Sequence, residues 1–384
     1  MVRVMILSLL KYLKHYIELI NTKTSPNIIT IRLKKRKVIC EQCHIKMHFH
    51  CFGRQRKVLI GESSWIVYRP LRYICPRCRK TKTINIPSVK PKARITEECK
   101  EQIVNTLKYR VSINEVAKRY GISHTTVTKL LRSYNNIIDW EEFEGDLRLG
   151  IDEHSFRGYE MIISVRELTT RSQLGFIYPD RKEKLKEFLR NLPIKNKIKE
   201  VSVDMKSSYI NSVREELPYA RIVLDHFHVV QDANREVLRA IEVENFVSKG
   251  KLPRKIFYKG IEHLKDKEKE KLKKVLKEHP YLVPYYVIKE LIRKVYKAKD
   301  RWEAKRILDA GINYGRKIGD TDLNRWIDRL IKYEEYILNY FESRTTNAQL
   351  EGNNLLVKLL KRISFGFRNP LNYTQRLSIA FNSI

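Results

Sequence analysis

Acidic residues are in short supply. Across 384 residues, 44 Asp and Glu face 77 Lys and Arg, a formal net charge of +33. A compact fold with that excess repels itself unless a polyanion or counterions offset it. Nucleic acid is the partner this points to, because lysines and arginines that displace condensed counterions supply most non-specific affinity for DNA. A Lys- and Ile-rich composition inherited from an AT-rich or thermophilic genome is the blander source. Cysteine is also scarce: six in the chain exclude a disulfide framework at this length. Long apolar runs are missing. The opening "MVRVMILSLLKYLKHYIELI" is broken by Lys11, Lys14 and His15 short of a ~20-residue span, and it has no small-residue cleavage site. It reads as an amphipathic helix, residues 1–30, that packs on the protein or a partner. The chain is therefore expected to be cytoplasmic and nucleoid-associated, with no membrane partner. Repeats and low-complexity tracts are absent.

What is present reads as a multidomain α/β chain. Residues 31–85 are strand-like, with "RKVLI", "SWIVYRP" and "LRYICP" between turns. "IPSVKPKAR", residues 86–94, reads as a linker with its two prolines. Residues 95–140 are helical. Over 147–231, "LRLGIDEH", "YEMIISV" and "QLGFIYP" form a meander, and "IKEVSVDM" and "ARIVLDHF" follow with helices between. That order predicts a mixed sheet flanked by helices. Residues 232–344 are long, lysine-rich and helical. Trp302 and Trp326 are expected in the core of that stretch, the alternative being that one stacks on an unpaired base. Residues 345–384 supply the final helices.

Four of the cysteines form two CxxC pairs, Cys40 with Cys43 and Cys75 with Cys78. Each tight turn sets two thiolates on one side, and two such turns close a tetrahedral site for structural Zn²⁺ with bonds of about 2.3 Å. A module this small needs such a staple. His44, His48, His50 and Cys51 lie near enough in sequence to compete, but four cysteines already satisfy the ion. Cys99 reads as an inert packing residue.

"SINEVAKRYGISHTTVTKLLRSY" has the logic of a helix-turn-helix. Ser112 caps a helix with Glu115 placed for a capping box, Gly121 ends it, and Ser123 caps a second helix. Val116, Ala117, Tyr120, Val127, Leu130 and Leu131 make the buried faces. His124, Thr125, Thr126, Thr128, Lys129 and Arg132 are left to face a DNA major groove and its phosphates. The bland reading is a helical hairpin packed on another domain.

Asp152 and Glu153 follow one apolar strand, Asp204 a second, and Asp225 with His226 and His228 a third. Carboxylates at neighbouring strand ends can meet. In "TTNAQLEGNNLLVKLLKRISFGFRN", residues 345–369, Glu351 is the lone acid of a cationic helix whose apolar stripe includes Leu355 and Leu360. Asp152, Asp204 and Glu351 together suit two Mg²⁺ or Mn²⁺ about 3.5–4 Å apart, a geometry for in-line displacement at phosphorus. Asp225 is an alternative second ligand; otherwise Asp225 and His228 support the ligands or contact DNA. Lys358 and Arg362 are placed to hold the DNA backbone beside Glu351. Each acid also has an ordinary reading, as a loop cap, helix cap or helix-face partner of lysine.

The order of a zinc ribbon, a helix-turn-helix, "GIDEHSF", "VSVDM", "LDHFHVV", a long helical insertion and "NAQLEGNN" through "GFRN" resembles the ISL-three group of prokaryotic insertion-sequence transposases, over roughly residues 35–384. The resemblance implies an RNase H-like catalytic domain with an Asp-Asp-Glu triad at Asp152, Asp204 and Glu351. Asp225 and His228 then form the additional Asp-x-x-His. It implies Mg²⁺-dependent cleavage of 3′ ends and strand transfer, double-stranded DNA partners at transposon ends and target, and a homodimer or higher oligomer on DNA. Two rival functions remain: a transposase-derived DNA-binding regulator without catalysis, and an RNase H-type nuclease or resolvase.

Overall fold

The computed structural model describes residues 17–25, 27–87, 89–109, 111–134, 138–346, 348–363 and 367–381, with side chains outside 17–25 and 348–354. None of the described helices is long and apolar enough to cross a membrane. The chain divides into two compact units: Met1–Asn136 with Lys358–Ile384, and Ile137–Val357.

In the first unit, β1 (Ile17–Ser25) and β2 (Ile28–Leu33) form an antiparallel hairpin. The helix expected over residues 1–30 is thus corrected to strand over 17–25 and from 28 on, its part over 1–16 lying outside the described residues. Ile17, Ile20, Thr22 and Thr24, then Ile28 to Ile31, are β-branched residues that suit a pleated sheet and crowd a helix. In β2, Ile29, Ile31 and Leu33 are buried while Thr30 and Arg32 face out, a period of two. β2 pairs in parallel with β5 (Ser64–Tyr68), which pairs antiparallel with β4 (Arg56–Gly61). A second, antiparallel sheet holds β3 (His48–Phe52), β6 (Leu71–Ile74) and β7 (Thr81–Ile84). Residues 86–94 are not a free linker: Ile86 and Val89 are buried, and Leu59 N donates to Arg94 O at 2.9 Å.

Three helices follow, α1 (Glu97–Thr106), α2 (Ile113–Tyr120) and α3 (His124–Ser133). Thr96, Ser112 and Ser123 cap them, accepting from the backbone N–H of Cys99, Glu115 and Thr126. Gly121, at φ 64°, ends α2 where a Cβ would be strained. The capping box is only half made, because the Glu115 carboxylate pairs with Arg119 at 2.6 Å. Val116, Ala117, Val127 and Leu131 close the core with Cys99 and Ile103, and Leu130 is half-buried against it.

The second unit is built on a five-stranded sheet of order β10-β9-β8-β11-β12. β8 (Leu147–Arg157), β9 (Glu160–Glu167) and β10 (Gln173–Ile177) are the antiparallel meander. β11 (Ile198–Val203) and β12 (Arg221–Leu224) run parallel to β8. The crossovers carry α4 (Lys182–Arg190) and α5 (Ser207–Glu216), matching the expected mixed sheet. β11 is interior to the sheet and buried on both faces apart from Lys199, with Glu200 and Ser202 buried alongside Val201 and Val203.

Helices then take over: α6 (His226–Ser248), α7 (Lys255–Tyr258), α8 (Asp266–Glu278), α9 (Val283–Val295), α10 (Arg301–Ile318), α11 (Thr321–Leu338) and α12 (Tyr340–Ser343). Gly315 lets α10 approach its neighbours: a Cβ there would lie 2.8 Å from Ile327 Cδ1 and 2.9 Å from Ile288 Cδ1. Trp326 is fully buried and stacked on Tyr285 as expected. Trp302 is not in the core; it is 66% exposed with the Arg306 guanidinium 4.7 Å from its ring.

α13 (Ala348–Ile363) and α14 (Pro370–Phe381) end the chain. Residues 345–384 were expected to complete the catalytic domain, yet Lys358–Ile384 folds with the first unit. The cause is visible in α14: Ile379 enters the helix-turn-helix core, and buried Arg376 donates to Tyr109 O at 2.7 Å and to Val111 O at 3.3 Å. In α13, Val357 and Leu360 are buried while Leu355 is 71% exposed, so the apolar stripe is narrower than the sequence suggests.

Candidate active site and nucleic-acid interface

Strand register brings the three aspartates together. The β8–β11 ladder ends at Ile151 opposite Val203, and the β11–β12 ladder at Val203 opposite Leu224. The next residue on each chain is Asp152, Asp204 and Asp225. Neighbouring strands lie about 4.8 Å apart, so the three carboxylates stand side by side at one level. β8 itself runs on to Arg157, so Asp152 marks the end of the parallel ladder and not the end of its strand. All three aspartates are buried.

α6 starts at His226, immediately after Asp225, and its first turn carries His228 back over the row. His228 Nε2 lies 3.0 Å from Asp204 Oδ1 and 3.9 Å from both Asp152 Oδ1 and Asp225 Oδ2. The approach to Asp204 Oδ1 lacks hydrogen-bond geometry, which leaves that oxygen buried without a hydrogen-bond partner. Burial, followed by the charges of Asp152, Glu153 and Asp225, pushes the Asp204 carboxyl up to about 8. One ligand atom each from Asp152, Asp204 and His228 falls within 4.8 Å of the others. An orphaned, charge-crowded oxygen among carboxylates is what a hard divalent cation satisfies, so the residues fit Mg²⁺ or Mn²⁺. His228 therefore stands among the candidate ligands, closer in than a purely supporting residue. The side chain of Glu351 lies outside the described residues; its position falls in α13.

Sequence reasoning missed the groups beside this row. Lys206 Nζ donates to Glu153 Oε2 at 2.8 Å and to Asp180 Oδ2 at 3.2 Å, and Tyr209 OH donates to Glu153 Oε2 at 2.6 Å. Burial alone would raise the Glu153 carboxyl, but these donors outweigh it and hold it below its usual value. Partners this far apart in sequence leave no local signal.

The four cysteines converge as expected, their sulfurs all within 4.8 Å of one another and Cys40 Sγ 3.6 Å from Cys78 Sγ. A tetrahedron with 2.3 Å bonds has edges of about 3.8 Å, so the set is compatible with structural zinc. Both turns share one conformation. His44 N donates to Cys40 O and Arg79 N to Cys75 O, and His44 and Arg79 have φ of 55° and 60°. The backbone N–H of Cys78, 3.5 Å from Cys75 Sγ, leads the influences that pull the Cys75 thiol down to about 7. None of His44, His48, His50 or Cys51 joins the cluster among the described residues.

On α3, His124, Thr125, Lys129 and Arg132 are exposed, whereas Thr126 and Thr128 are half-buried. Thr126 is engaged by the Ser123 hydroxyl and Thr128 donates to His124 O. Arg132 Nε donates to Asn372 Oδ1 at 2.7 Å. Lys358 and Arg362 are exposed on α13.

Residues 149–377 match a protein-family model described as "Transposase", and residues 84–135 match the "Helix-turn-helix domain of transposase family ISL3". The chain is 24% identical over 374 residues to the "Transposase for insertion sequence element IS1001" of Bordetella parapertussis, with 92% of this chain and 91% of that protein covered. It is 26% identical over 262 residues to the "Transposase for insertion sequence element IS1557" of Mycobacterium tuberculosis, covering 60% of this chain and 59% of that one.

Proposed function

The chain belongs to the ISL3 family of transposases, and from that premise we propose that it binds the terminal inverted repeats of an insertion sequence, cleaves their 3′ ends and joins them to target DNA. The observation that carries this is the register that aligns Asp152, Asp204 and Asp225. The order β10-β9-β8-β11-β12 supports an RNase H-like reading of the second unit.

Asp152 and Asp204 would hold the divalent cations, with Glu351 as third acid. When bound, two Mg²⁺ or Mn²⁺ activate water or a 3′-hydroxyl and stabilise the leaving oxygen of an in-line displacement. Asp225 supports Asp204 from the adjoining strand end, and His228, 3.0 Å from Asp204 Oδ1, would join the ligands. The Glu153–Lys206–Tyr209 network fixes the strand segment that carries Asp152. Zn²⁺ on Cys40, Cys43, Cys75 and Cys78 staples the ribbon. α3 presents His124, Thr125 and Lys129 to base edges and backbone, with Arg132, Lys358 and Arg362 adding phosphate contacts. Synapsis of two ends calls for at least a dimer.

The test is cleavage of a labelled duplex carrying the element's own end, with Mg²⁺ or EDTA, by wild type, Asp152→Asn and Glu351→Gln. Metal-dependent nicking by wild type alone, with binding retained in both variants, supports the assignment. Normal cutting by Glu351→Gln removes Glu351 from the triad. Cutting without any strand-transfer product favours the nuclease reading, and binding without cutting the regulator.

A further inference from the structure

We propose that a basic groove beside the helix-turn-helix holds the sugar–phosphate backbone of one DNA strand where it leaves the bases contacted by α3. The proposal rests on the reading that α3 docks on DNA, and it assigns a separate site to the backbone.

The groove, about 630 Å³, lies within the first unit between the β4–β5 hairpin, the segment before α1 and the start of α3. Arg56, Lys57, Lys92 and Arg94 line it, and no Asp or Glu does. Elsewhere the surface cations are commonly paired, as Lys182 is with Glu215 and Arg190 with Glu216. Among the described residues, Lys57, Lys92 and Arg94 have no acidic partner. Unpaired cations gathered in one concavity raise the local concentration of an anionic ligand.

The groove is built, not incidental. Leu59 N donates to Arg94 O and Thr96 N to Leu59 O, which fixes the segment carrying Lys92 and Arg94 along β4. Arg56 Nη1 donates to Asn85 Oδ1 at 2.8 Å, and its other guanidinium nitrogen to Ala93 O. Lys57 Nζ sits 4.7 Å from the ring of Trp65, an apolar wall. Cations held in place lose little side-chain freedom when they bind. The far wall includes Ser123 and Thr126, the cap and first turn of α3. Residues at the start of a recognition helix sit closest to base edges. A strand read there has its next phosphates in the groove.

The experiment is equilibrium binding of the full, zinc-loaded chain to two labelled duplexes of equal length, across a NaCl series. One duplex carries the terminal repeat and the other is unrelated. The Lys57→Gln/Arg94→Gln variant is expected to lose about tenfold on both duplexes, and its log–log salt slope to shrink by about 2, near 0.9 per lost phosphate contact. Lys57→Arg/Arg94→Lys keeps the slope, and zinc content with circular dichroism verifies folding. An unchanged slope and affinity in the Gln variant overturns the proposal. So does a loss confined to the repeat duplex, which would make the groove a reader of bases. Inorganic phosphate at fixed ionic strength is expected not to displace DNA; displacement would mark a small-anion pocket instead. If wild type binds both duplexes equally, end recognition fails while the slope still reports the groove. If it binds neither, both readings fall.

Discussion

Asp204 is flanked on neighbouring strands by Asp152 and Asp225, and burial with their charges pushes its carboxyl up to about 8 from the unfolded value near 4. The folded state therefore holds this proton more tightly than the unfolded state. The stabilisation is fully present below the unfolded value and is lost as pH rises towards 8. Asp204→Asn has no such loss. In EDTA its stability relative to wild type should climb from no difference near pH 4 to a few kcal/mol at pH 8, at about 1.4 kcal/mol per unit. Urea unfolding across that range measures it, and added Mg²⁺ should close the gap by binding only the wild-type fold. The same variant should cut DNA at less than about one-thousandth of the wild-type rate, with binding retained. The aspartates were legible because each directly follows a run of strand-forming residues, although Asp152 proves to lie within β8 and not at its end. The closeness of His228 was not, since it depends on where α6 begins. The Lys206 and Tyr209 partners of Glu153 lie on a different element and left no local trace.

Among the elements, the two cysteine turns are the most constrained. His44 and Arg79 hold the left-handed conformation without being glycine, at a cost of about 1 kcal/mol each. Arg79→Gly should keep zinc bound and change stability little, because relieved strain offsets added unfolded-state freedom. Arg79→Val, β-branched at positive φ, should weaken zinc retention at least tenfold, as a chelator competition would show. The helix-turn-helix was readable because caps and the Gly121 stop are local signals. The N-terminal hairpin was not. Its β2 edge is satisfied by a parallel partner more than thirty residues away, β5, and no local pattern announces such a pairing. Residues 86–94 misled for the same reason: prolines suggest a linker, but the hydrogen bonds that pin the segment come from β4.

At the scale of the whole molecule, a charge of +33 sets two salt effects of opposite sign. Raising NaCl from about 0.05 to 0.5 M should raise the melting temperature of the DNA-free protein by screening self-repulsion, and weaken DNA binding by orders of magnitude. A thermal scan and a binding titration over one salt series check both. The C-terminal helix offers a sharper test. Arg376 is buried with two backbone carbonyls as acceptors, and burial lowers its own pKa to about 10. Arg376→Ala should cost about 2–4 kcal/mol through unsatisfied carbonyls and a cavity, read by unfolding of the first unit. The position of α14 also orders events during synthesis. A ribosome that has completed residue 357 has made all of α1, α2 and α3, but not Ile379 and Arg376, which close their core. The helix-turn-helix core is therefore closed only once α14 has been made, so a product interrupted before α14 carries an incomplete DNA-binding unit.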